Sequence, residues 1–318
     1  MNQSENTLLE TINETVLQPL VQQVLANPSV EIVKWNYEKL HGAGGGLGGT
    51  VIYRFSGLGQ VQDKLIPWSL VLKILQARAD ESSSSHYWKR EAEAYRSGWL
   101  NTLSGGLVTP RCYAIDDHPD FIRIWLEDVQ DSFGSAWTLS HYGLVARHLG
   151  QFNGQYLAQE VIPTFSWFSS QWIRQDLATA APSFEKMRSL LDHPIIRRFF
   201  PPPLGEKALR LWAEKERFLM VLEGLPQTVC HFDAFRRNLF GRSNADGKTQ
   251  IVAIDWSYVG SGPPGAEIVA LVWVTLFFRD VEASQARDLA GVVFANYLDG
   301  LRDSGWQGDP RQVRFAFT

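Results

Sequence analysis

The chain has 318 residues, 45% of them hydrophobic and 20% charged, with a formal net charge of −4 and a pI near 6.0. That balance suits a folded protein of one large or two smaller domains, and it excludes nucleic acid or an anionic membrane as a partner held by bulk charge. Cys112 and Cys230 lie far apart and outside any C-x-x-C pair, which points to reduced thiols and a cytoplasmic location, with Cys230 read as a small apolar filler.

The first thirty residues show no basic start followed by an apolar core, so no secretion signal is read. Leu9, Ile12, Val16, Leu20 and Val24 recur at helical spacing and predict an N-terminal helical cap, with Pro19 placed to start a second short helix. Residues 32–40 and 50–55 alternate in character and predict the two strands of a hairpin, joined by the glycine-rich run 41–49. In that run Gly44, Gly46 and Gly49 fit G-x-G-x-x-G, and Val51 extends the pattern to G-x-G-x-x-G-x-V. Glycines that opened a helix would suit a dinucleotide-dependent oxidoreductase. Here β-branched and aromatic residues follow instead, which favours a loop between strands whose N–H groups approach phosphates unobstructed. A hairpin tip with no ligand is the plain alternative.

Residues 67–75, PWSLVLKIL, predict a third strand whose one charged residue, Lys73, either snorkels to water from a strand edge or grips a phosphate. Residues 86–100 predict a helix carrying Glu91 and Glu93, which in the simplest reading lie on a solvated face. Residues 110–115 and 121–129 predict two more strands about a His118-Pro119 turn. Helices follow over 139–156, where Gly150 and Gly154 allow close packing, and over 206–222. Between them Phe165, Trp167, Phe168 and Trp172 form an aromatic tract, either core or a surface for stacking on a sugar or holding an organic cation. The longest apolar run, 268–278, is about half of the ~20 residues that span a bilayer, and predicts a buried helix and no membrane partner. Residues 311–318 read as a helix that breaks off.

The chemistry concentrates in residues 230–256, CHFDAFRRNLFGRSNADGKTQIVAIDW. Asp233 follows His231 by two positions and precedes Asn238 by five, and Asp255 closes the strand-like run 250–254. Phosphoryl transfer needs a carboxylate to orient an attacking hydroxyl and accept its proton, and oxygen ligands for the Mg²⁺ that bridges the phosphates. A lone H-x-D is most often an ordinary polar loop. Four residues in this order, with a hairpin strand between them, are far rarer. A hydrolytic metal site at His231 and Asp233 would lack a His-rich partner motif.

At these residues the chain resembles the aminoglycoside phosphotransferase and choline kinase-like superfamily, relatives of the protein kinases, whose catalytic loop reads H-x-D-x-x-x-x-N. Asp255 of Ile254-Asp255-Trp256 takes the place of the D-F-G aspartate. The chain departs at Phe232, where many relatives carry glycine, and at Phe235, where protein kinases carry lysine, leaving Arg236 or Arg237 to supply that charge. The resemblance implies an α+β, two-lobed protein kinase-like fold. Its N-lobe, 1–128, is an antiparallel sheet with one main helix and ends in a hinge at Glu127 whose backbone meets adenine; the C-lobe, 129–318, is mostly helical. ATP and Mg²⁺ are the implied cofactors, and a small-molecule hydroxyl acceptor the implied partner, held by the middle helices. Gly44, Gly46 and Gly49 then cover the phosphates, and Lys73 grips them with Glu91, or else Glu93, as its partner. Asp233 orients the acceptor hydroxyl and Asn238 with Asp255 holds the metal. His231 is structural, and Glu267, where the superfamily commonly has aspartate, braces the loop. The short stretch between Asp255 and the next helix leaves no platform for a polypeptide acceptor. A nucleotide-binding pseudokinase with a regulatory role is the alternative, opposed by the completeness of the set. Carboxylates are not concentrated in the second half, so a polycationic aminoglycoside is favoured no more than a sugar or amino alcohol.

Overall fold

The computed structural model describes residues 9–40, 50–78, 84–159, 161–199, 201–244 and 247–318. Its elements run α1 (Glu14–Val24), β1 (Glu31–Leu40), β2 (Thr50–Val61), β3 (Lys64–Gln76), α2 (Arg90–Arg96), β4 (Leu107–Val108), β5 (Cys112–Asp117), β6 (Phe121–Glu127) and α3 (Leu139–Ala158). They continue α4 (Trp172–Leu190), α5 (Pro194–Phe199), α6 (Pro202–Ala213), α7 (Lys215–Gly224), β7 (Thr228–Cys230), β8 (Leu239–Ser243), β9 (Thr249–Ala253) and β10 (Gly260–Gly262). The last are α8 (Glu267–Phe277), α9 (Ala286–Asp303) and α10 (Pro310–Phe317). The fold is α+β. It divides into two compact units, the first comprising Met1–Asp80, Trp88–Ser135 and Arg237–Ser257, the second Glu81–Tyr87, Ala136–Arg236 and Tyr258–Thr318.

The first unit is built on a five-stranded antiparallel sheet in the order β1-β2-β3-β6-β5. Because side chains alternate along a strand, β3 serves both faces. Leu70, Leu72 and Ile74 join Tyr53, Phe55 and Trp125 under Leu17, Leu20 and Val21 of α1. Leu75 joins Ile122, Ile124 and Leu126 against Ala92 of α2. Lys73, paired across the sheet with Ile124 and Ile52, falls on that second face with α2.

Three expectations for this unit change. Pro19 does not start a second helix but sits inside α1. Leu17, Leu20 and Val21 are all buried, and burying three such side chains, at about 1.5–3 kcal/mol each, outweighs the ~3 kcal/mol that an internal proline costs. β3 begins at Lys64 rather than at residue 67; Pro67 lies beyond the end of β6, where β3 has β2 on one side only and a missing N–H is tolerated. The helix expected over 86–100 is confined to Arg90–Arg96, since Gly98 at φ +72° supplies the left-handed residue that ends it. A short parallel pairing of β4 with β9, which extends the β8–β9 hairpin to three strands, had no signal in the sequence.

In the second unit α3 packs against α9, and Gly150 and Gly300 let the backbones touch. A Cβ at Gly150 would fall 2.2 Å from the Tyr297 carbonyl oxygen, and one at Gly300 would fall 2.0 Å from that of Arg147. β7 and β10 form a two-stranded ladder beside them. The single helix expected over 206–222 is two, α6 and α7, separated at Glu214. α8 is not buried all round as its apolar sequence suggested. Ile268, Leu271 and Thr275 face inward while Trp273 and Phe277 are 63% and 66% exposed, because a helix on the surface of a unit buries one stripe whatever its other face carries. No helix among the described residues is long and apolar enough to cross a membrane.

Candidate active site

In the first unit the Lys73 ammonium lies 2.5 Å from Glu91 Oε2 and 2.8 Å from Asp255 Oδ1. The side chains of Lys73 and Glu91 are 6% and 1% exposed, that of Asp255 33%. The strand parity of β3 and the first turn of α2 bring the first two together, and the end of the β8–β9 hairpin brings the third, 182 positions away in the chain. Burial lowers the affinity of Lys73 for its proton, but Asp255 and Glu91 more than reverse this and hold the ammonium above the ordinary lysine value. Burial likewise pushes the Glu91 carboxyl up, against the pull of Lys73. Lys73 is therefore charged at every ordinary pH, with two carboxylates on one cation. Glu93 is not part of the cluster: its carboxylate pairs with Arg96 at 3.4 Å.

The Asp255 carboxylate is held by Ser257 as well as by Lys73. The residue adopts φ +63°, a conformation that side-chain-bearing residues take at a cost of about 1–2 kcal/mol. Ser257 Oγ donates to its Oδ1 at 2.8 Å, and the fully buried Arg90, the residue before Glu91, donates through Nη1 to the Ser257 carbonyl at 2.9 Å. One turn of α2 thus reaches Asp255 by two routes, through Lys73 and through Ser257. Asn238, 8% exposed, ends a short 3₁₀ turn before β8, and its carbonyl accepts from the Ile254 N–H at 2.9 Å, which sets it next to Asp255. A carboxylate and an amide oxygen are hard donors of the kind Mg²⁺ takes while keeping waters and phosphate oxygens for its other positions. Among the described residues no three His, Cys, Asp or Glu side chains cluster to hold a metal on their own.

At the end of β6 the Glu127 carboxylate accepts from Arg242 Nη2 at 2.6 Å and from the Arg111 N–H at 3.1 Å, while Asp128 pairs with Arg54 at 2.9 Å. The Glu127 side chain is thus engaged, and its own N–H donates to the Arg111 carbonyl at 2.9 Å. Gly44, Gly46 and Gly49 lie outside the described residues.

In the second unit the Asp233 loop hangs on buried polar groups. Glu267, fully buried at the start of α8, accepts the His231 N–H on Oε2 at 2.6 Å. Burial pushes its carboxyl up to about 7, opposed by the His231 amide, Asn153, the Cys230 thiol and the Phe232 amide around it. His231, itself fully buried, accepts the Asp233 N–H on Nδ1 at 3.2 Å. Below the loop Asn153 donates to the Val229 carbonyl at 2.6 Å and accepts from Tyr297 Oη at 2.6 Å, and Tyr297 Oη in turn accepts the Gly265 N–H at 3.1 Å. Arg236, one of the two arginines open to the missing lysine's role, is committed to Asp280 at 3.0 Å with both side chains largely buried. Phe232 sits at φ +62°, the region glycine favours, with its ring stacked on Trp172 at 4.4 Å. The stack returns about 0.5–1.5 kcal/mol against the ~1–2 kcal/mol of the backbone strain, so the two nearly offset. Of the aromatic tract, Trp167 and Phe168 are buried and Phe165 is 39% exposed.

Sequence reasoning missed Arg90, Asn153 and Trp172 in these roles. Arg90 adjoins a singled-out glutamate, and Asn153 is a polar residue on the apolar side of a predicted helix; both are weak signals. Trp172 was visible only as one aromatic among several.

Residues 200–302 match the model of the phosphotransferase enzyme family, APH. In fold the chain is similar to amicoumacin kinase hAmiN at 15% identity, with 96% of this chain and 82% of that one covered and a TM-score of 0.53. It is similar to aminoglycoside phosphotransferase APH(3'')-Id from Streptomyces rimosus at 16% identity, covering 96% and 97%, with a TM-score of 0.52. A choline kinase from Cryptosporidium parvum is matched at 12% identity, covering 96% and 86%, with a TM-score of 0.54. A comparison with curated proteins found no match. The fold over nearly the whole chain and the family match across the Asp233–Asp255 segment agree: the chain has a two-lobed, protein kinase-like fold and resembles the aminoglycoside phosphotransferase and choline kinase-like superfamily.

Proposed function

We propose that the protein is a small-molecule kinase that moves the γ-phosphate of ATP to a hydroxyl group of a small acceptor. The observation that carries this reading is the buried Lys73 ammonium held between Glu91 and Asp255 at 2.5 and 2.8 Å. A buried cation paired with one carboxylate is ordinary. One shared with a second carboxylate, itself a third exposed, leaves a net negative charge that a divalent cation would balance, and that cation can in turn carry a polyphosphate. The reading is supported by the phosphotransferase family match, and the fold relative hAmiN was solved with AMP-PNP and Ca²⁺.

In this reading Lys73 grips the α- and β-phosphates and Glu91 fixes its ammonium. Asp255 and Asn238 hold Mg²⁺, which neutralises charge on the transferring phosphates. Gly44, Gly46 and Gly49 cover the phosphates, the backbone at Glu127 meets the adenine edge, and the lobes divide near residue 128. Asp233 takes a hydrogen bond from the acceptor hydroxyl and, as that oxygen attacks, its proton. His231 orients Asp233 by accepting its N–H, and Glu267 holds His231 in turn. The acceptor is a small hydroxylated molecule, and the reaction takes place where ATP and reduced thiols are found, in the cytoplasm.

The test is Mg-ATP binding and turnover in the wild type, Asp255→Ala and Asp233→Ala, with an acceptor screen of choline, sugars and aminoglycosides. Asp255→Ala is expected to lose metal-dependent nucleotide binding. Asp233→Ala is expected to keep binding and lose at least about a hundredfold in turnover. Nucleotide binding without turnover under any acceptor would make the protein a regulatory pseudokinase, and a wild type that binds no nucleotide would end the reading.

A further inference from the structure

Phe232 stands directly before Asp233 in the chain and holds φ +62°, a conformation its Cβ disfavours. Trp172, the first residue of α4, stacks on its ring with centroids 4.4 Å apart and planes 11° from parallel. Gly262 in β10 gives that ring its seat, since a Cβ there would fall 2.5 Å from Phe232 Cζ and 3.1 Å from Cε1. Trp172 is supported in turn by Tyr258, 5.6 Å away, and Tyr258 meets His86 edge to face at 5.3 Å. His86 Nε2 closes the ring of contacts at 3.3 Å from Asp176, one turn along the same helix as Trp172. The Trp172 indole N–H has no hydrogen-bond partner among the described residues, so stacking fixes the indole.

Asp233 inherits the result. Its N–H, part of the Phe232–Asp233 peptide, reaches His231 Nδ1 at 3.2 Å, a bond that depends directly on the direction in which that peptide points, and its carbonyl accepts the Phe235 N–H at 3.0 Å. We infer that Trp172 is a positioning residue for Asp233, acting through Phe232: the stacked indole keeps a strained backbone in its left-handed form and so keeps the Asp233 carboxylate aligned. The purpose of that alignment rests on the phosphotransferase reading; the clamp itself does not.

A stack that only fills space and a clamp that holds a backbone differ in one outcome. Glycine adopts φ +62° with no Cβ to strain, so it needs no clamp. If Trp172 acts through Phe232, adding Phe232→Gly to Trp172→Ala restores function; if the stack is packing, the second change makes matters worse.

The experiment measures kcat and KM for Mg-ATP turnover in the wild type, Trp172→Ala, Trp172→Phe, Phe232→Gly and the double variant. Deuterium uptake by the backbone of residues 231–235 is followed alongside. Trp172→Ala is expected to lower kcat about tenfold, with KM for ATP within about twofold, and Trp172→Phe to restore it. The double variant is expected within about threefold of Phe232→Gly alone. Uptake over 231–235 rises in Trp172→Ala and returns to the wild-type level in Trp172→Phe. Unchanged uptake in Trp172→Ala, or a double variant slower than Trp172→Ala, overturns the inference. A wild type without turnover sinks the kinase reading, and the uptake measurement still decides the clamp.

Discussion

Around Lys73 the order comes from charge: one ammonium and two carboxylates, with Glu91 1% exposed, sit where water screens them little. Around Asp233 it comes from neutral donors and ring faces, with backbone amides on Glu267 and His231, an asparagine network beneath and a stacked indole. Ion pairs of this kind break hard when one member is removed and are indifferent to pH near neutrality. Amide bonds to a buried carboxyl break softly and titrate. The two regions should therefore respond to different perturbations, and each of the following changes tests one side of that contrast.

The largest effect is expected from Lys73→Met, which leaves Glu91 buried without its cation. The predicted loss is about 3–5 kcal/mol of stability, read from a urea melt, with turnover abolished. A melt equal to that of the wild type would mean that the two carboxylates find another counterion, and the charge-based half of the contrast would fail.

Next comes the pH dependence of Glu267. Its carboxyl titrates near 7 in the folded chain against an ordinary value of 4.5, so the folded state binds a proton that the unfolded state has lost between those values. Stability therefore falls as pH rises through that window, by up to about 3 kcal/mol, and is flat above it. Glu267→Gln should remove the slope in melts taken across the window. Lys73 has the same sign in a different range: its raised affinity gives stability that is complete at neutral pH and is lost only as pH climbs past the ordinary lysine value. A wild-type slope that survives in Glu267→Gln would place the titrating group elsewhere.

Arg236→Ala should cost less, about 1.5–3 kcal/mol, because it takes a charged hydrogen-bond partner from the mostly buried Asp280. The melt also separates the two arginines of the loop. If Arg236 serves structure, the variant loses stability with little change in KM for ATP. The smallest change is expected for Arg174→Ala on the surface of the second unit, where Arg174 reaches Glu216 and Glu223 at 2.7 and 2.6 Å. Such exposed pairs give no more than about 1 kcal/mol, and added salt should erase the difference.

The spacing of His231, Asp233, Asn238 and Asp255 was legible because it is set within one loop and one hairpin, where a few covalent bonds limit what can lie near what. The strand around Lys73, with its one charged residue among apolar neighbours, was legible for a similar reason. The neighbours were not. Arg90 on Ser257, Asn153 under β7 and Trp172 on Phe232 join residues that are 167, 76 and 60 positions apart, and nothing in local pattern selects one such pair over another. Phe232 read as a departure from a glycine, and only its φ of +62° gives the departure a physical meaning.

The sequence by itself determined the strand and helix periods and the order of the chemical groups along the catalytic segment, because each depends on a handful of adjacent residues. Tertiary structure alone decided that Pro19 stays inside a helix, that Trp273 and Phe277 face outward, and that Lys73 meets a carboxylate from the far end of the chain. Those outcomes turn on burial and on charge compensation, which are sums over neighbours that only the folded chain assembles.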